Sequence, residues 1–127
     1  MKAFFTAFRT YSVSTQFYTD VGGQLYTDEA PQNTDYPYAV WTFPYGFPEY
    51  DLVAKKSEGV TAQLDIYADN TSEILSLFDE ADNSFNNCSF TVAGYSLTRF
   101  RRVSQRLIKE DGISRYIIEF SIEIGEE

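Results

Sequence analysis

GYSLTRFRRVSQRLIKEDGISRYIIEFSIEI, residues 94–124, decides the fold, because it reads as two long strands folded about Glu110-Asp111-Gly112. In the second limb Tyr116, Ile118, Phe120, Ile122 and Ile124 alternate with Ile117, Glu119, Ser121 and Glu123. A period of two makes one face apolar and the other mostly polar, so this strand covers a core on one side. Asp-Gly between two such runs predicts a tight turn, since glycine accepts the positive φ the turn needs. The first limb, Tyr95 to Ile108, alternates less cleanly. Tyr95, Leu97 and Arg99 share a face, but Phe100, Val103 and Leu107 cannot all lie on one side of a regular strand. A bulge or strong bend near Arg101-Arg102 would reconcile them. A ribbon of this length is expected to project beyond a small domain.

Working back toward the N-terminus, Gly59 to Tyr67 alternates Val60, Ala62, Leu64 and Ile66 against Thr61, Gln63, Asp65 and Tyr67 and predicts another strand. Asp69-Asn70-Thr71-Ser72 supplies a helix cap, with Glu73 in the first turn, where an acid suits the helix dipole. The helix predicted from there to about Phe85 buries Ile74, Leu75, Phe78, Ala81 or Asp82, and Phe85. Pro44 to Ser57 reads as a loop, and Tyr38 to Phe43 as a strand entered through Pro37, which favours extended backbone at Tyr36. A brief extended segment is expected at Gln24-Leu25-Tyr26, after a break at Val21-Gly22-Gly23. Lys2 to about Thr15 places Phe4, Phe5, Phe8 and Tyr11 on one helical face. The expected fold is α+β, a single antiparallel sheet ending in the long C-terminal hairpin, with helices packed on one face. The length of 127 residues predicts a single domain spanning 1–127.

The net charge of −9 argues against general nucleic-acid binding, which relies on cationic neutralisation of phosphates. The charge is unevenly placed. Residues 1–98 carry four basic and thirteen acidic side chains, whereas 99–115 carry six basic and two acidic. An acidic body with one basic band is suited to electrostatic docking against copies of itself or other partners. One cysteine, Cys88, excludes an intramolecular disulfide framework and fits a reducing compartment. No apolar run approaches a membrane-spanning length, and the opening Met1-Lys2-Ala3-Phe4-Phe5 is too short for a secretory signal, so an intracellular protein is expected.

Chemistry-bearing constellations are sparse. The sequence has no histidine, which removes imidazole acid–base chemistry and the usual triads. Cys88 reads as a small buried residue rather than a nucleophile. Asp79, Glu80 and Asp82 read as a solvated helix face rather than a metal site. No cofactor is implied. Arg99, Arg101, Arg102 and Arg106 form the charge cluster that stands out. On a regular strand Arg99 and Arg101 face one way and Arg102 and Arg106 the other. They read either as a contact band (or channel lining) or as a solvated ribbon paired with Glu119 and Glu123 across the hairpin. The aromatic stretch Trp41 to Tyr50, with Trp41, Tyr45 and Phe47, reads either as a surface of interaction anchors or as a lid over the apolar sheet face.

Several local phrases, in order, resemble the tail-completion, or tail-terminator, proteins of long-tailed bacteriophages. They are Leu25-Tyr26 followed by Ala30-Pro31, then Tyr36-Pro37-Tyr38-Ala39-Val40 entering a strand. Next comes Leu64-Asp65-Ile66-Tyr67-Ala68-Asp69 running into a helix, and the long closing ribbon. The resemblance covers nearly the whole chain. It implies a non-catalytic subunit of a hexameric homo-oligomer ring that caps the finished tail tube. Its partners would be the tail tube protein and the head-completion or connector protein, with DNA passing through the lumen and no membrane. Its place would be the tail–neck region of the virion, after assembly in the host cytoplasm. Within that reading Arg99, Arg101, Arg102 and Arg106 are expected at subunit or tube contacts or facing the lumen. Rival readings are another neck or head-closure component, a small nucleic-acid-binding module using these arginines with stacking rings, and a carboxylate enzyme.

Overall fold

The computed structural model describes residues 2–43 and 57–126. A five-stranded sheet holds β1 (Leu25–Thr27), β2 (Tyr38–Thr42), β3 (Ser57–Ala68), β4 (Tyr95–Glu110) and β5 (Ile113–Glu126) in the order β1-β2-β3-β5-β4. Every pairing is antiparallel except β1 with β2, which is parallel. The helices are α1 (Lys2–Val13), α2 (Gln16–Asp20) and α3 (Thr71–Phe85). The expected loop over Pro44 to Ser57 lies outside the described residues except for Ser57, which opens β3.

The ribbon forms as its pattern predicts. Asp111 and Gly112 both take positive φ, 51° and 78°, the backbone of a two-residue hairpin turn. The expectation that it projects is overturned. β5 pairs with β3 along its length, from Ser57↔Gly125 to Ala68↔Ser114, so the ribbon lies within the sheet. β5 is an interior strand and β4 is the edge. Alternation records which side of a strand is covered, not how many strands flank it.

The helix-side face of the sheet buries Trp41, Leu64, Ile66, Ile118, Phe120, Ile122 and Ile124. Phe4 and Phe8 of α1 and Phe85 of α3 pack onto it. Phe8 and Trp41 meet edge-on at 5.0 Å between ring centroids, and Trp41 and Phe85 at 5.1 Å. Such edge-to-face pairs add about 0.5–1.5 kcal/mol each beyond area burial.

The cap of α3 is as expected, with Glu73 N donating to Asn70 Oδ1 at 2.7 Å. Its buried stripe is different: Ile74, Leu77, Ala81, Ser84 and Phe85 face the core, while Leu75 is 44% exposed. At about 100° per residue, the row through 74, 77 and 81 turns position 75 away from the sheet. Phe78 sits at the stripe's margin, stacked on Tyr116 at 4.4 Å.

The short helix α2 went unforeseen. Thr15 accepts a hydrogen bond from Tyr18 N at 3.2 Å as its N-cap, and α2 anchors itself with fully buried Phe17. Five residues are too few for a helical period to show in the sequence.

Candidate functional site

The face of the sheet away from the helices carries the charged and tyrosine side chains. Its rows follow from the register. Tyr38, Tyr67, Arg115 and Ile108 share one row, and Val40, Asp65, Ile117 and Arg106 the next. Arg101 stands opposite Ser121, and Arg99 opposite Glu123.

β4 shifts register twice against β5, between Leu97 and Arg99 and between Arg102 and Ser104. The second bulge lies just beyond Arg101-Arg102 and leaves Val103 without a partner. It reverses side-chain parity for everything after it. The first bulge does the same at Thr98, so Leu97 and Phe100 both turn to the core side, Phe100 only 2% exposed. The second corrects the expected arginine split: Arg106 shares the open face with Arg99 and Arg101, and Arg102 alone turns to the helix side.

Three arginines are neutralised within the fold. Arg102 meets Asp82 of α3 at 3.0 Å and lies over the Phe78 ring at 5.4 Å. Arg99 meets Glu123 at 3.5 Å across the hairpin. Arg115 meets Asp65 at 2.6 Å and lies over Tyr67 at 5.6 Å. Asp65 is 7% exposed and also accepts from Gln63 Nε2 at 2.9 Å. Arg101, Arg106 and Lys109 have no hydrogen-bond or ion-pair partner among the described residues. The band thus divides into paired and unpaired cations, and the cross-hairpin pairing expected with Glu119 and Glu123 is made only by Arg99.

Beside Arg115, Tyr36, Tyr38 and Tyr67 form a stack, with centroids 5.6 Å apart for the first pair and 4.7 Å for the second. Burial raises the Tyr38 and Tyr67 phenols above their ordinary value. The alternation of β3 placed Tyr67 beside Asp65 on the polar face. What brings the three tyrosines together is the pairing of β2 with β3, which the chain's local pattern does not carry.

Trp41 is 1% exposed at the centre of the aromatic core, which corrects the reading of it as a surface anchor. In β2 it takes the same face as Leu64 and Ile118, so its ring closes the core. Tyr45 and Phe47 lie outside the described residues.

Asp79, Glu80 and Asp82 do not converge. Asp82 is held by Arg102, and no cluster of three potential metal ligands occurs among the described residues. Cys88 packs beside the core, where burial pushes its thiol up to about 12, partly offset by a hydrogen bond with Tyr11. The thiol therefore stays neutral and unreactive at neutral pH. A thiol-directed reagent at pH 8 is expected to label the folded chain at least about tenfold more slowly than the urea-unfolded chain, and equal rates would contradict this placement. Because the unfolded thiol ionises first, Cys88 makes stability fall as pH rises from about 9 toward 12.

Comparison with known proteins agrees with this picture. The family described as tail completion protein gp17 matches residues 3–125. A chain of the virion of a native gene transfer agent particle superposes with a TM-score of 0.70 at 12% identity, over 94% of this chain and 92% of that one. A second solved chain superposes with a TM-score of 0.58 at 11% identity, over 94% and 93%. At these identities the likeness is one of fold. No curated protein matches the sequence. A family match that runs from the first turn of α1 to the end of β5, on a fold shared with a virion component, settles the assignment: the chain belongs to the tail completion protein gp17 family, structural proteins of the phage tail.

Proposed function

We propose that this chain forms a ring at the head-proximal end of the tail tube, where it ends tube polymerisation and offers the surface that the head connector joins. It acts by binding, without a catalytic step. The observation that carries this reading is the unpaired cation set on an edge strand. Arg101, Arg106 and Lys109 on β4 have no ion-pair partner among the described residues, in a protein whose formal charge is −9. Fixed charges left without partners inside a subunit gain most when an assembly supplies the counter-charge. Contacts between unlike surfaces of identical subunits close into rings when the rotation fits. Six copies on a sixfold template would bind far more tightly than one, because each later contact is intramolecular. The lumen of such a ring is the passage for DNA, and its place is the neck of the virion, reached after assembly in the host cytoplasm.

The test is tube growth. Purified chain is added to polymerising tail tube protein, and the products are imaged by electron microscopy. The expected result is annular density at one tube end and no growth from that end when more tube protein is supplied. Tubes that lengthen as before, with bare ends, would refute termination. Binding to the head connector but not to the tube would identify a head-closure component instead.

A further inference from the structure

The two edges of the sheet are chemically opposite. At the β1–β2 side, residues 20–35 hold four acidic and no basic side chains. Asp28, Glu29 and Asp35 are exposed there, and none has an ion pair among the described residues. Asp28, Glu29, Tyr36, Tyr38 and Tyr67 line an open cleft of about 450 Å³ on the open face. Carboxylates beside ring faces suit a guanidinium, which combines ion pairing with cation–π contact. At the β4 side, residues 99–109 hold five basic and no acidic side chains.

The edges also differ in whether they are covered. β1 is three residues long, and its outward carbonyls are occupied: Arg9 Nη1 donates to Leu25 O at 3.3 Å and Glu29 N to Thr27 O at 2.9 Å. β4 is covered only in part. The turn after α3 caps it where Asn87 N donates to Phe100 O at 2.7 Å and Arg102 N to Asn86 Oδ1 at 2.9 Å. Among the described residues, Ser104 to Glu110 of β4 pairs only with β5 and no strand lies beyond it. Val103, at its start, is 53% exposed and Leu107 is 37% exposed. Arg106 and Lys109 on this edge deter indiscriminate strand pairing, as edge cations do, and suit it to a surface that carries the opposite charge.

We propose that the open part of β4 in one copy docks against the acid-and-tyrosine surface at the β1–β2 edge of a second copy, with Arg106 entering the cleft and Arg101 pairing beside it. This rests on the ring reading and names its subunit contact. The occupant is a second copy because the same chain carries both the unpaired cations and the unpaired acids, on opposite edges of one sheet face. A contact between unlike edges repeats head to tail, as a ring requires.

A paired charge reversal tests it. One variant carries Arg101→Glu and Arg106→Glu, and the other Glu29→Lys and Asp35→Lys. Asp28 is left unchanged because its φ of 71° suits few other residues, and Asp65 because it holds Arg115. Sedimentation equilibrium follows self-association of the wild type, each variant and their equimolar mixture, with circular dichroism confirming the fold. Each variant alone juxtaposes like charges and should associate about tenfold or more weakly than wild type. The mixture should recover association, because each altered edge then meets an opposite charge and alternating copies close an even-membered ring. A variant that associates like wild type, or a mixture that stays apart while both variants are folded, overturns the contact and leaves the ring reading standing. A wild-type chain that is monomeric at every concentration overturns the contact as a self-association interface, and the tube-growth test alone then decides the ring reading. Loss of tube binding by the arginine variant with self-association intact would assign the edge to the tube protein and overturn the contact.

Discussion

Trp41→Ala is expected to lower unfolding free energy by about 3–5 kcal/mol, the range for truncating a fully buried aromatic ring. Trp41 is 1% exposed and meets rings from four other elements: Phe8 of α1, Phe85 of α3, Phe100 of β4 and Phe120 of β5. Each contact fastens a separate layer to β2, a strand of only five residues. Removing the indole leaves a cavity that the helices can fill only by shifting, and a shift would strain the edge-on contacts between them. The comparison that isolates packing is Trp41→Phe. The indole Nε1 is buried without a hydrogen-bond partner among the described residues, so losing it removes a desolvated donor along with part of the ring. Trp41→Phe should therefore cost less than about 2 kcal/mol. Urea unfolding followed by far-ultraviolet circular dichroism reads both. An alanine variant within about 1 kcal/mol of wild type would show that Trp41 does not hold the core together.

The same residue marks where local reading of the chain ends. The period of two in Tyr116 to Ile124, the Asp-Gly turn and the Asn70 cap depend on neighbours in sequence, and each appears in the structure as read. Trp41 looked equally suited to a surface or to a core, because an aromatic ring serves both and only long-range pairing decides between them. β2 pairs with β3 across the long connection between them, and that pairing sets which face Trp41 occupies. The tyrosine stack and the Asp82–Arg102 bridge were hidden for the same reason: their members lie on different elements. The arginine band could be seen in the composition. Its division into paired Arg99 and Arg102 and, among the described residues, unpaired Arg101 and Arg106 depends on Glu123 and Asp82 from other elements, and the face that Arg106 takes depends on one bulge residue.

Deleting that residue, Val103, is expected to cost less than about 1 kcal/mol, whereas Phe100→Ala should cost about 3–5 kcal/mol. Val103 is 53% exposed and contributes little packing of its own. Arg102 pairs with Phe120 and Ser104 with Glu119, neighbours on β5, so Val103 is the extra residue of the bulge. Without it Arg102 and Ser104 become neighbours that face opposite sides, as a regular strand requires, and both halves of β4 keep their register. Arg101 and Arg106 then stay on the open face, and Glu110↔Ile113 still closes around Asp111-Gly112. Phe100, by contrast, is 2% exposed and packs against the rings of Phe8 and Phe120, so truncating it opens a cavity in the core. Urea unfolding and self-association measured on both variants read the difference. A Val103 deletion that costs about 3 kcal/mol or more, or that abolishes association, would mean that the two halves of β4 do not rejoin in register.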